Sequence, residues 1–132
     1  FNGEAGGADG ERFVADFSAK MGRPPVFVEP QTVFGMDMVA DALRRTKAEG
    51  GKLNVNAFAR AMETVRIKTP MGEASMRAAD HQILMPLVVS TVSRDARFKV
   101  DGTDMGFKPV KVFTAEEAAT PVQPSCKMQR PS

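Results

Sequence analysis

The chain has 132 residues, 42% of them hydrophobic and 26% charged, an ordinary balance for one globular domain with a real core. Its 18 basic residues are interspersed among 16 acidic ones for a net charge of +2, with no basic run beyond Arg44-Arg45, which excludes the clustered charge of a nucleic-acid footprint. No apolar segment approaches the roughly 20 residues of a membrane-spanning helix, and the single cysteine, Cys126, excludes an internal disulfide. Trp and Tyr are absent, so nine Phe and nine Met supply the bulky apolar volume. The sequence starts at Phe1 without an initiator methionine, which suits a mature, clipped or partial chain better than an intact cytosolic one.

Residues 1–10 (FNGEAGGADG) read as a flexible lead-in. Asp9 is placed to cap a helix, with Glu11 complementing its dipole. Phe13, Val14, Phe17 and Met21 recur at threes and fours, which predicts a helix of about three turns. Gly22 at the C′ position and Pro24-Pro25 end it. Val26, Phe27 and Val28, bounded by prolines, predict a short buried strand. Glu29-Pro30-Gln31-Thr32 is then a polar turn, with Thr32 as the N-cap of a helix over 33–48. The core face of that helix is Phe34, Met38 and Ala42, with Val39 and Leu43 beside them, and Gly50-Gly51 stops it. Asn54 caps a third helix, in which Phe58, Ala61, Met62 and Val65 have amphipathic spacing.

Beyond Arg66 the period changes. Thr69-Pro70-Met71-Gly72 carries a type I turn signature, and residues 73–77 predict a short strand. Residues 83–92 give the strongest strand signal, interrupted at Pro86 by an edge, a bulge or a change of direction. Residues 94–104 form a loop with a tight turn at Asp101-Gly102. Residues 107–113 alternate as a second strand, 115–119 make one helical turn, and the proline-rich 120–132 is an extended tail. No internal repeat is present. The order is α/β, but the helices outnumber the strands they should cover, and that shortage points to partner strands upstream of this chain.

In open α/β sheets ligands bind beyond the carboxyl ends of strands, so the turn after Val28 is the natural place for a site. Glu29 offers a carboxylate to a ligand ammonium, and Gln31 an amide to a carboxylate; such convergent groups orient a ligand in a cleft. Two solvated loop residues are the plainer reading of the same pair. His81, the only histidine, follows Asp80, and a small α/β hydrolase using His81 with Cys126 is the enzymatic alternative. Against it, a metal site wants about three or four ligands. Cys126 lies in a tail, with neither a helix N-terminus nor a neighbouring histidine to lower its pKa. No catalytic residue, metal ligand or cofactor is assigned. Met36, Met38, Met62, Met71, Met76 and Met85 are core fillers by type, with an adaptable binding surface as the alternative.

Several phrases in order resemble the C-terminal portion of type I periplasmic solute-binding proteins of the branched-chain amino acid ABC transporter family. FVADFSAKMGRPP is similar to that family's helix followed by Gly-x-x-Pro, and FVEPQTVFGMDMVADALRRT to its strand-to-helix segment. LNVNAFARAMETVRIKTPMGEASMRAADHQ is similar to its short helix, Pro-x-Gly loop and Asp-His-Gln passage. ILMPLVVSTV resembles the strand that crosses between lobes, and TPVQPSCKMQRP the end of many members. Nearly the whole chain is covered.

The resemblance implies a non-enzymatic periplasmic receptor whose two α/β lobes close on a small amino acid or carboxylic acid and deliver it to an ABC permease. It implies residues 1–85 in the first lobe, a crossing near Ile83 to Pro86, and residues 86–132 as strands and tail joining the second. The remaining N-terminal portion of the same protein would complete the pocket. An aromatic side chain of this region contacts ligand in the family, which implies Phe34 first, standing where Tyr is more usual, and Phe27 second. Glu29 and Gln31 complete the expected ligand-binding set. The family carries Asp80-His81-Gln82 without chemistry. Cys126 would be joined to an upstream cysteine, as an oxidising compartment permits. A ligand-sensing domain of a regulator, built on the same fold, is the alternative.

Overall fold

In a computed structural model of the chain, residues 1–46 and 52–130 are described. Three helices come first, α1 (Gly7–Met21), α2 (Val28–Arg45) and α3 (Val55–Met62). Strands β1 (Arg66–Thr69), β2 (Gly72–Arg77), β3 (Gln82–Leu84), β4 (Leu87–Ser93) and β5 (Gly106–Phe113) follow, then the single-turn helix α4 (Ala115–Ala118). β1, β2 and β3 form one antiparallel sheet in that order, and β4 and β5 form a separate antiparallel pair.

The strand expected over residues 26–28 does not form. Val28 is already the first residue of α2, and Glu29 to Thr32 lie in its opening turns rather than in a loop. A proline in the first turn of a helix gives up only an N–H that has no intrahelical acceptor, so Pro30 is a start signal here, not a break. Val26, Phe27 and Val28 are exposed. Thr32 is not the cap: its hydroxyl donates to the Val28 carbonyl at 3.1 Å. Phe27 holds the cap position without a side-chain bond. Glu29 instead reaches back ahead of the helix, its Oε2 accepting from the Val26 N–H at 2.8 Å. The inward stripe is as expected, with Pro30, Phe34, Met38 and Ala42 buried at four-residue spacing, but Leu43 is exposed. The last helical residue is Arg45; the expected end at Ala48 and the Gly50-Gly51 stop lie outside the described residues.

The glycine-rich start is folded rather than a flexible lead-in. It turns at residues 3–6 and becomes helical at Gly7, so Gly6, not Asp9, precedes α1. A Cβ on Gly10 would lie 2.3 Å from the Gly3 carbonyl oxygen, so glycine is what lets the turn press on the helix. Gly22 ends α1 in the left-handed conformation (φ 70°), its N–H bonded to the Ser18 carbonyl. Asn54 caps α3 as expected, accepting from the Ala57 N–H at 3.0 Å. Arg45 then ties α2 to α3, donating to the Ala61 carbonyl and to Thr64 Oγ1, both at 2.8 Å. The Ala61 carbonyl also accepts from the Thr64 N–H at 3.2 Å and hydroxyl at 3.1 Å, so the guanidinium joins a bonded helix end. The core between α2, α3 and the first sheet is Met38, Ala42 and Val65, flanked by Phe58, Met62, Ile67 and Met76.

β1 has no counterpart among the expected elements. It pairs with β2 so that Thr69 faces Gly72, which leaves Pro70-Met71 as a two-residue hairpin loop. The long strand expected over 83–92 is two strands in two sheets, divided at Met85-Pro86. Pro86 is therefore a change of direction. The bulge falls farther on, between Val89 and Ser90, where Ser90 faces Pro109 and Val110 is passed over. β5, the turn at Gly102 and α4, closed by a Thr114–Glu117 capping box, match expectation. Among the described residues strands outnumber helices. The expected shortage of strands arose from missing β1 and reading β3 and β4 as one.

Candidate functional site

The start of the chain is fastened to the β4–β5 pair by Asn2. Its side chain is buried and fully used: Oδ1 accepts from the Glu4 and Ala5 N–H groups, both at 3.0 Å. Nδ2 donates to the Phe107 carbonyl at 2.7 Å and to Ser90 Oγ at 3.1 Å. A second tie is made by Arg97, whose backbone N–H donates to Glu4 Oε2 at 3.0 Å and whose guanidinium pairs with Glu11 of α1.

Between these ties lies a cavity of about 600 Å³. Phe1, Val14, Val26 and Phe27 wall one side; Val88 of β4, Phe107 of β5 and Phe98 of the connecting loop wall the other. The polar side chains that reach it are few: Asn2, Ser90, Lys99 and Asp101. Lys99 is engaged with the Arg94 carbonyl, whereas Asp101 is exposed. An apolar hollow with sparse polar groups is the usual build of a small-molecule site.

Of the expected ligand residues, Phe27 lines this cavity and is 67% exposed. Phe34 stands behind it, 5% exposed, with its ring centroid 6.3 Å from Phe1 and 6.0 Å from Phe13. It backs Phe1, which does line the cavity. Glu29 pairs with Arg23, and that guanidinium holds its carboxyl below the usual carboxylate range. Gln31 is exposed on α2. Phe1, Asn2, Phe98 and Phe107 are absent from the expected set. Only Asn2 carries a local signal, an Asn before Gly in a turn-prone run, where the side chain bonds the backbone just ahead.

Asp80 and His81 face different partners. Asp80 is held by Arg77, at 2.8 Å from Nε and 2.6 Å from Nη2. His81 Nε2 lies 3.1 Å from Glu63 Oε1, and Cys126 is exposed in the tail. Hydrogen bonds from Arg130 first and His81 second lower the Glu63 carboxyl to about 2. Because that value is below the ordinary 4.5, the stabilisation is complete above about pH 4.5 and is lost as pH falls toward about 2. Thermal melts of the wild type and Glu63→Gln should therefore differ near neutral pH and converge across that window. A gap that stays constant down to pH 2 would refute the assignment. Among the described residues no cluster of His, Cys, Asp and Glu is placed to hold a metal, and no helix is long and apolar enough to cross a membrane.

Residues 1–97 match a family model described as periplasmic binding protein. The "Leu/Ile/Val-binding protein homolog 4" of Brucella abortus (strain 2308) is 47% identical over 131 residues, 99% of this chain and 32% of the relative. The protein of the same name from Brucella melitensis biotype 1 is 46% identical over the same shares. The chain thus spans about a third of the length of these curated relatives. Among solved structures it is similar to a leucine-, isoleucine-, valine-, threonine- and alanine-binding protein from Brucella ovis in its closed conformation. The TM-score is 0.93 at 46% identity, over 99% of this chain and 34% of that one. A solute-binding protein of an ABC transporter from Rhodopseudomonas palustris BisB5, solved with 3,4-dihydroxybenzoic acid, aligns at a TM-score of 0.66 and 26% identity, over 82% of this chain and 27% of that one.

Proposed function

Because this chain belongs to the periplasmic binding protein family, we propose that it forms part of a periplasmic solute receptor that captures an aliphatic amino acid by hinge closure and delivers it to an ABC permease. The observation that carries this reading is the cavity: aromatic and aliphatic walls fit a branched or short apolar side chain, and sparse polar groups leave an ammonium and a carboxylate few partners to choose from. The Brucella ovis protein, which binds leucine, isoleucine, valine, threonine and alanine, supports the same ligand class.

On this reading residues 1–85 belong to one lobe and 86–132 join the other, with the crossing at Met85-Pro86, where the chain leaves one sheet for the next. Phe27 touches ligand and Phe34 supports the wall, whereas Glu29 and Gln31 lie outside the cavity lining at the start of α2 and would meet ligand only with the rest of the protein in place. The other walls come from the rest of the protein. The β4–β5 pair supports that: a two-stranded sheet is marginal by itself, and Leu87, Val110 and Val112 are exposed on it.

Calorimetric titration of the full-length protein with leucine, isoleucine, valine, threonine, alanine and 3,4-dihydroxybenzoate tests the reading. Tight binding of an aliphatic amino acid is expected. Phe27→Ala should weaken it about tenfold, the scale of an apolar contact of this size, and the 132-residue chain alone should bind weakly or not at all. Binding of the aromatic acid alone would overturn the ligand class. Tight stoichiometric binding by the isolated chain would overturn the shared cleft.

A further inference from the structure

The chain beyond β5 is fastened, not trailing. α4 packs against β5 and also against β3, so it touches both sheets. The tail then returns to the first sheet, where Arg77 of β2 donates through Nη1 to the Thr120 carbonyl at 2.6 Å. Arg77 is itself set in place by Asp80. Farther on, Arg130 closes on Glu63 at the C-terminal end of α3, Nε donating to Oε1 at 2.9 Å and Nη2 to Oε2.

This second fastening differs from a solvated surface pair. The Glu63 side chain is 5% exposed. An arginine fork on a carboxylate is directional as well as charged, and removing the arginine leaves an enclosed charge short of a partner. His81, in the turn between β2 and β3, approaches the same carboxylate, its Nε2 3.1 Å from Glu63 Oε1.

The two sheets share one direct backbone link, Met85-Pro86 between β3 and β4. The tail supplies another, leaving β5 of one sheet and ending on β2 and α3 of the other. We propose that residues 119–130 are a strap across the hinge, which limits how far the two sheets separate and so how fast a captured ligand escapes. The strap rests on the hinge-closure reading above, with Glu63 and Arg77 as its anchors and Arg130 as its clasp.

The test uses ligand-free and ligand-bound full-length protein, with Arg130→Ala to open the clasp and Arg130→Lys to keep the charge without the fork. Removing Arg130 leaves the enclosed Glu63 carboxylate short of a partner, so urea unfolding of both variants accompanies the test, and Arg130→Lys, which keeps the charge, decides it where Arg130→Ala unfolds. In Arg130→Ala, amide exchange over 119–130 should rise about tenfold, the scale of a lost charge-assisted bond, and residues 84–88 at the crossing should exchange faster as well. Stopped-flow dissociation of the amino acid should quicken severalfold while association changes little, and Arg130→Lys should fall between. Unchanged exchange in the tail would overturn the clasp. A freed tail with wild-type exchange at 84–88 would overturn the restraint. If no amino acid binds the wild type, the proposed function fails, and the exchange at 84–88 still decides the strap.

Discussion

Phe34→Ala is expected to destabilise the protein by about 3–5 kcal/mol, the range for truncating an enclosed aromatic side chain. Phe34 is 5% exposed and meets Phe1 and Phe13 in tilted ring contacts with centroids 6.3 and 6.0 Å apart. Tilted pairs of this kind add to the area term. The truncation leaves a void that helix α2 cannot close, because Pro30 and Met38 on the same face are already packed. Phe27→Ala is the counterpart. Its ring is 67% exposed, so the melt should barely move while ligand affinity falls. Urea unfolding and calorimetry on both variants separate the two roles. A Phe34→Ala protein that melts like the wild type and only loses affinity would contradict the supporting role argued for Phe34.

Gly106→Ala should be the most damaging single-methyl change in the described part of the chain. A Cβ there would lie 1.9 Å from the Phe98 carbonyl oxygen and 2.8 Å from the Ala96 Cβ. The obstacle is backbone, which has no rotamer to escape into. The Lys99–Gly106 bridge at the base of β5 must open, and Phe98, Lys99 and Asp101 move away from the cavity with it. The cost sits at or above the upper end of overpacking, about 3 kcal/mol or more, and binding should fall with it. Gly35→Ala is the control of opposite sign. It lies within α2 with nothing inside 4 Å of the added carbon, so helix propensity predicts a gain of about 0.5–1 kcal/mol. Denaturation midpoints that move apart in these directions support the close approach; a Gly106→Ala midpoint equal to the wild type would show that the loop yields freely.

What was legible in the residues was what neighbouring residues decide among themselves. The α2 stripe, the Asn54 cap and the Gly22 stop depend on partners a few positions away, so spacing and residue type suffice. Family membership was legible too, because it is carried by ordered phrases rather than by contacts. The start of α2 shows where that runs out. Three apolar residues before Pro30 suit a strand or a helix start equally, and the choice fell to the helix because Pro30 and Phe34 find a buried face while residues 26–28 pair with no strand among the described residues. β1 was invisible for the same reason: Arg66, Ile67, Lys68 and Thr69 hold one apolar residue, and pairing with β2 makes them a strand.

Apart from Phe27, the cavity lies on the other side of that line. Asn2 and Phe107 are 105 positions apart yet 2.7 Å from donor to acceptor. The sequence by itself determined the helical stripes, the Asn54 cap, the Gly22 stop and the family, since those follow from hydrogen bonds, periodicities and phrases that close within a short stretch. Only the tertiary structure decided which aromatic rings face one hollow and where the tail fastens, since both depend on segments from opposite ends of the chain being packed together, and no local pattern encodes that meeting.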